Sequence, residues 1–192
     1  MTYYTVEELL SMIDEPNASK CLQLLEENRQ LFQRVRGSTH NHQTWVGGYI
    51  DHIQEIMNIA DSLYHHFNEL RTLPFSHSDV LLVTFLHDLE KPWAFEKDNS
   101  GEWVRVESMR TKETQQNFRK IKLKEYEIEL TSEQENGIKY IEGEHQDYTN
   151  KRRVMSPLAA FCHLADVTSA RLCYDHPMVN NDPWQGAKRI RK

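Results

Sequence analysis

Residues 80–92, Val80-Leu81-Leu82-Val83-Thr84-Phe85-Leu86-His87-Asp88-Leu89-Glu90-Lys91-Pro92, decide how the rest of the chain is read. Leu81, Leu82, Val83, Phe85 and Leu86 are apolar nearly all round a helical wheel, which places this segment in a core. Ser76 or Ser78 is suited to cap it, so a helix is expected over Val80 to His87. Its closing pair, His87-Asp88, is out of keeping with an apolar core. An unpaired carboxylate buried there costs on the order of several kcal/mol or is neutralised, whereas a metal ion lets it stay ionised. The plainer reading has Asp88 capping or hydrogen-bonding the next turn, and the dipeptide alone does not choose between the two.

Outward from this segment, helical periodicity dominates and strand patterns are scarce. Thr5 caps an expected helix from Val6 to Ile13, and Asn17 opens a second through Leu24, Leu25 and Leu31. The polar run Gly37-Ser38-Thr39-His40-Asn41-His42 reads as a loop feeding a longer helix from about Thr44 to Tyr64, in which Ile50, Ile53, Ile56 and Met57 recur at helical spacing. After Pro92, a turn cluster between Trp93-Ala94-Phe95 and Trp103-Val104 suggests a small β-hairpin or surface excursion near 93–106. A charged helix is expected over Thr111 to Tyr126. Thr131-Ser132-Glu133-Gln134 opens another that ends near Glu144-His145, and Ser156-Pro157 introduces a last one from Leu158 to Tyr174. The fold class is all-α. Residues 1–36 form amino-terminal helices packing on the domain, 37–175 the domain itself, and 176–192 an irregular tail.

A chain of 192 residues with a formal charge of −6 fits one domain and argues against a surface built for duplex nucleic acid. The one basic strip, Lys188 to Lys192, is short. Cys21, Cys162 and Cys173 show no CxxC spacing and read as reduced thiols. Met1-Thr2-Tyr3-Tyr4 opens no basic-then-apolar leader, and no stretch is long enough to span a bilayer, so a cytoplasmic protein without membrane contact is expected.

Two further residues in expected helices, His52 and Asp166, complete a set with His87 and Asp88. Two imidazoles and two carboxylates suit a first-row divalent ion, and such a site with open positions acidifies a bound water, which is hydrolase chemistry. Leu81 to Lys91 resembles the signature of the HD superfamily of metal-dependent phosphohydrolases, an all-helical family named for its His-Asp pair. Tyr49-Ile50-Asp51-His52-Ile53 is similar to the family's earlier histidine helix, and His163-Leu164-Ala165-Asp166-Val167 to its later aspartate helix. The likeness runs over about residues 37–175. Within it, His40 to His52, with Asn41-His42 and Gly47-Gly48, looks most like bacterial HD proteins of the exoribonuclease type, and the whole has the look of small stand-alone phage HD proteins.

The resemblance implies a helical bundle holding one divalent ion per chain (Mn, Mg, Co, Ni, Fe or Zn) through His52, His87, Asp88 and Asp166. It also implies a phosphate role for Lys91, at the last position of an HDxxK pattern, and places His42 and His145 near the substrate as proton-transfer groups. Arg110, Lys112 and Arg153 are weaker candidates for phosphate contact. The expected substrate is a small phosphate ester, foremost a nucleotide. The runner-up is a phosphodiesterase or 3′-5′ exonuclease on single-stranded nucleic acid, ranked second because the OB-type domain of such enzymes is not seen. A di-iron oxygenase of HD type and a non-catalytic nucleotide-binding regulator are the remaining readings, and a homodimer is compatible with all of them.

Other residues carry two readings each. Asp51 and Glu90 either orient the imidazoles or are solvated helix carboxylates. Gly47-Gly48 at a helix start, where each glycine costs about 1 kcal/mol in a helix interior, implies close backbone approach, to packing or to a ligand, or else a plain loop. Trp45, Trp93 and Phe95 either stack on a base or belong to the core. His163 reads as a core-edge residue, and His65, His66, His77 and His176 as surface or packing residues.

Overall fold

The computed structural model describes residues 2–38, 41–101 and 103–173. The tail 176–192, with its Lys188–Lys192 strip and His176, lies outside them. The described chain is mostly helical: α1 (Val6–Leu10), α2 (Asn17–Phe32), α3 (Gly48–Leu70), α4 (His77–Leu86), α5 (Lys112–Glu125), α6 (Ser132–Tyr140) and α7 (Pro157–Thr168). A two-stranded antiparallel sheet, β1 (Phe95–Lys97) with β2 (Trp103–Arg105), pairs Phe95 with Arg105 and Lys97 with Trp103, inside the stretch read as a hairpin.

Local chemistry sets most starts. Thr5, Ser76 and Thr131 each form a capping box with the residue three positions on, Glu8, Asp79 and Gln134, so two orphan backbone donors are satisfied at each of three helix starts. α4 is built as its composition demands, with every residue from Val80 to Leu86 buried. It packs on α3, α6 and α7, and α7 in turn lies against α3 and α6. α1 contributes Val6, Leu9 and Leu10, and α2 contributes Leu24 and Leu25, to the same apolar core.

Several boundaries differ from the sequence reading. α1 stops at Leu10, with Ile13 buried in the turn beyond it. α3 begins at Gly48 rather than Thr44, because Gly47 sits in the left-handed region at φ 81° and a Cβ on Gly48 would lie 1.8 Å from the Gln43 carbonyl oxygen. The two glycines are therefore accounted for by the approach of the 37–48 loop to the helix start, where Gly37 N donates to Gln43 O at 2.9 Å and Tyr49 N to Val35 O at 3.1 Å. α4 ends at Leu86, so His87 is its C-cap and Asp88 lies in the following turn instead of within the helix. α6 ends at Tyr140, and Gly143 at φ 105° and His145 at φ 45° break the path to a separate turn at His145–Asp147. α7 gives way after Thr168 to a wider π turn, Ser169–Cys173. Among the described residues, no helix is long and apolar enough to cross a membrane.

Candidate metal centre

The packing of α3, α4 and α7 brings three side chains from distant parts of the chain to one point. His52 comes from the first turns of α3, His87 from the end of α4 and Asp166 from α7. Their ligand atoms all lie within 4.8 Å of one another, and the group can hold a metal ion. His52 Nε2 is 3.3 Å and His87 Nε2 3.9 Å from Asp166 Oδ1. Asp88 joins from the side, its Oδ2 3.1 Å from His87 Nε2 and 3.9 Å from His52 Nε2. Donors bound about 2.1 Å from a shared ion sit roughly 3–3.5 Å apart, close to these separations.

The two imidazoles are buried, and neither Nε2 has a hydrogen-bond partner despite the carboxylates beside it. Buried polar atoms left in this state call for an explanation, and an ion between nitrogens and carboxylates supplies one. The far side of each ring supports it. His87 Nδ1 lies 2.7 Å from the Thr84 carbonyl oxygen, which can only accept, so Nδ1 carries a proton and Nε2 is the atom turned to the cluster, where an ion would displace its proton.

His52 is set by a longer relay. Its Nδ1 is 3.2 Å from Ser169 Oγ, and that hydroxyl donates to Glu55 Oε2 at 3.0 Å. Having given its proton to a carboxylate, Ser169 accepts from His52 Nδ1, and Nε2 is left as the lone pair facing Asp166. The same Glu55 oxygen accepts from Gln43 Nε2 at 3.0 Å, which turns Gln43 Oε1 toward His42 Nδ1 at 2.7 Å. One buried carboxylate thus sets the tautomers of two histidines. Gln43, Glu55 and Ser169 were not singled out from the sequence. Glu55 was the readable one, an acid on the apolar stripe of α3 beside Ile53, Ile56 and Met57, one turn beyond His52.

Electrostatics follow from this packing. Burial holds the His52 imidazolium down. Burial opposes charge on His87 too, but Asp88 and Asp166 outweigh it and push that ring up to about 9, marking the spot as one that stabilises positive charge. Asp88 is held well below the carboxylate range, its burial overcome by His87 and Lys91. His42, burial being the main cause and the neighbouring His52 and Lys91 charges adding to it, is lowered to about 4. Its ring stands 4.8 Å from that of His52.

Two clefts open on the cluster. One of 730 Å³ is lined by His87, Glu90, Lys112, Arg119, Tyr140 and His145 among others. The other, of 680 Å³, reaches His42, Lys112, His145, His163, Asp166 and Arg171. Lys112, Glu142 and His145 belong to both. Lys112 Nζ is 2.9 Å from Glu142 Oε2 and 3.1 Å from His145 Nε2, so an ammonium and an imidazole stand together where the clefts meet.

The remaining sequence candidates fall into place around this centre. Lys91 does not line either cleft; its ammonium is bonded to Asp88, whose charge it balances. Glu90 is buried against Arg119, 2.7 Å away, which ties α5 to the turn after α4. Asp51 accepts from Trp45 Nε1 at 2.7 Å instead of backing an imidazole. Trp93 is packed edge-on to Phe32 and covered by Lys122, and Phe95 lies under Arg105, so neither ring faces the clefts. Arg110 is paired with Glu107, and Arg153 lines neither cleft. His163, expected at the core edge, is half-buried and lines the second cleft, with Nδ1 2.5 Å from Ile141 O. Cys21 and Cys162 are buried and free. No family model, curated protein or solved structure matches the chain.

Proposed function

We propose that the chain is a metal-dependent phosphohydrolase of HD type that cleaves a phosphate ester of a nucleotide or a similar small molecule. The observation that carries this reading is the pair of buried, unpartnered Nε2 atoms of His52 and His87 facing Asp166 at the junction of two clefts. In this reading Asp88 is the fourth ligand, and Lys91 keeps it ionised. The resemblance of residues 37–175 to HD phosphohydrolases supports the same four residues.

A divalent ion held there supplies Lewis-acid polarisation of a phosphate oxygen and acidifies water. The protein's own groups do the rest. Lys112, 60 % exposed where the clefts meet, is the cation placed to meet the phosphate, a role the sequence reading gave first to Lys91. His42, its Nδ1–H directed to Gln43, offers Nε2 as a hydrogen-bond acceptor that orients water. His145 accepts from Lys112, and when that ammonium turns to substrate its Nε2 is freed as a base that can take a proton from water and pass it to the leaving oxygen. Tyr140 is the one aromatic ring other than histidine among the lining residues described. Its hydroxyl is bonded to Asp147 and Lys139 lies 4.6 Å from its ring centroid. That is no platform for stacking successive bases, which favours a small ester over a single strand.

The test is phosphate release from a nucleotide panel, with manganese, magnesium, cobalt or nickel added, alongside mononucleotide release from labelled single strands. Phosphate release dependent on the ion and abolished in Asp88→Ala is expected. Release from strands alone replaces the small-ester reading with the exonuclease, and release of neither overturns hydrolysis. Two irons per purified chain would point instead to oxygenase chemistry.

A further inference from the structure

A second group of donor atoms lies farther along the same long helix, about 14–20 Å from His52 by helical rise. Asp61 and His65 stand one turn apart on α3, and His77 is the first residue of α4. Their three ligand atoms also fall within 4.8 Å of one another. We propose that Asp61, His65 and His77 form a second divalent-metal site, one that takes a borderline first-row ion such as zinc and joins α3 to the start of α4.

The geometry points to an ion shared at one carboxylate oxygen. Asp61 Oδ1 lies 2.9 Å from His77 Nε2 and 3.4 Å from His65 Nε2, so both rings present the same nitrogen to one acceptor. His77 Nε2 is buried and, in spite of that short distance, is not aligned for a hydrogen bond. A nitrogen in this state is a lone pair with nothing to bind, or a donor aimed past its acceptor, and either is costly where water is excluded. An ion resting between the three atoms satisfies all of them. The rings are parted by 5.0 Å between centroids, and Tyr64 packs 5.1 Å from His77 and 5.8 Å from His65, walling the group on one side.

Two imidazoles with one carboxylate set the kind of ion. Imidazole suits zinc, nickel and copper, whereas magnesium and calcium seek oxygen and keep their water. His65, with 64 % of its side chain exposed, gives the ion a way in from solvent. The site stands independently of the phosphohydrolase reading.

Equilibrium dialysis of the full chain against zinc chloride, followed by metal analysis, tests it in the wild type, His65→Ala and His66→Ala. Because His65 is exposed, its loss leaves the fold in place. One zinc fewer per chain in His65→Ala than in the wild type is expected, with His66→Ala unchanged. The difference holds whether or not the His52 cluster takes zinc. An equal count in His65→Ala and the wild type overturns the site, and so does an equal loss in His66→Ala, which would mean scattered surface binding. The ¹⁵N resonance of His77 Nε2 is expected to shift on zinc addition in the wild type; a resonance that stays put overturns the site as well.

Discussion

The two clusters on α3 offer the same donor set, two imidazoles and a carboxylate, and differ in what stands behind it. At His52 and His87 both rings are buried, and each Nδ1 is held by a partner that turns Nε2 toward the cluster. Asp88 adds a second carboxylate, and two clefts lead in. At Asp61, His65 and His77 one ring is 64 % exposed and must give up rotamer freedom to bind. Ligand atoms alone do not distinguish a reaction centre from a clasp between helices. Burial, fixed tautomers and room for a substrate do.

The largest difference is expected on removal of one inner ligand. His52→Ala should abolish metal binding at the central cluster and, with it, hydrolysis. It should also destabilise the fold by about 2–4 kcal/mol, through the cavity and through the lost hydrogen bond from His52 Nδ1 to Ser169. Metal analysis and a denaturant titration read the two effects separately. The outer cluster should keep its zinc. A variant that retains the central ion removes His52 from the ligand set and erases the contrast between the clusters.

A subtler change tests the backing without touching a ligand. In Glu55→Gln the new amide can donate toward Ser169 and Gln43, where the carboxylate could only accept, so the hydroxyl no longer has to turn away from His52. Loss of such outer partners elsewhere lowers metal affinity or activity by about 10–100-fold. Chelator competition should show a loss in that range at the central cluster and none at the outer one. Equal affinity in variant and wild type would show that the Ser169–Glu55 relay does not set the His52 tautomer.

How far these features could be read from the amino-acid string depends on range. α4 was legible because Val80 to Leu86 is apolar on nearly every face, and the caps at Thr5 and Thr131 because each is a local pattern within four residues, whereas Ser76 and Ser78 were left as alternatives until the capping box with Asp79 chose Ser76. Helix ends governed by contacts were not. The start of α3 is moved by the approach of Gln43 to Gly48, and the end of α6 by positive φ at Gly143 and His145. The same divide runs through the candidate site. His52, His87, Asp88 and Asp166 could be quoted from their flanking motifs. Lys91 was quoted too, but its direction was not: one turn from Asp88, it turns back to that carboxylate. Ser169 against Glu55, across 114 positions, becomes visible only once α3 and the end of α7 are seen to meet. His65 and His77 were read as surface or packing residues for the same reason, since His77 meets Asp61 only once α3 and the start of α4 are seen to pack.

The smallest expected effect is on stability without added metal, and it bears most directly on what separates the clusters. His65 lies on the surface of α3, and substitutions at such positions usually change stability by no more than about 0.5 kcal/mol. Alanine is also the better helix former, which offsets part of the lost contact with Asp61. Denaturant titration of His65→Ala in the presence of a chelator should therefore fall within that margin of the wild type, while His52→Ala under the same conditions falls well outside it. Adding zinc should stabilise the wild type more than His65→Ala, because an ion that binds only the folded chain contributes in proportion to the logarithm of its concentration over Kd. A His65→Ala chain as damaged as His52→Ala without metal would mean that the outer histidine is already part of the packing, and the line drawn between a buried centre and a surface clasp would have to be moved.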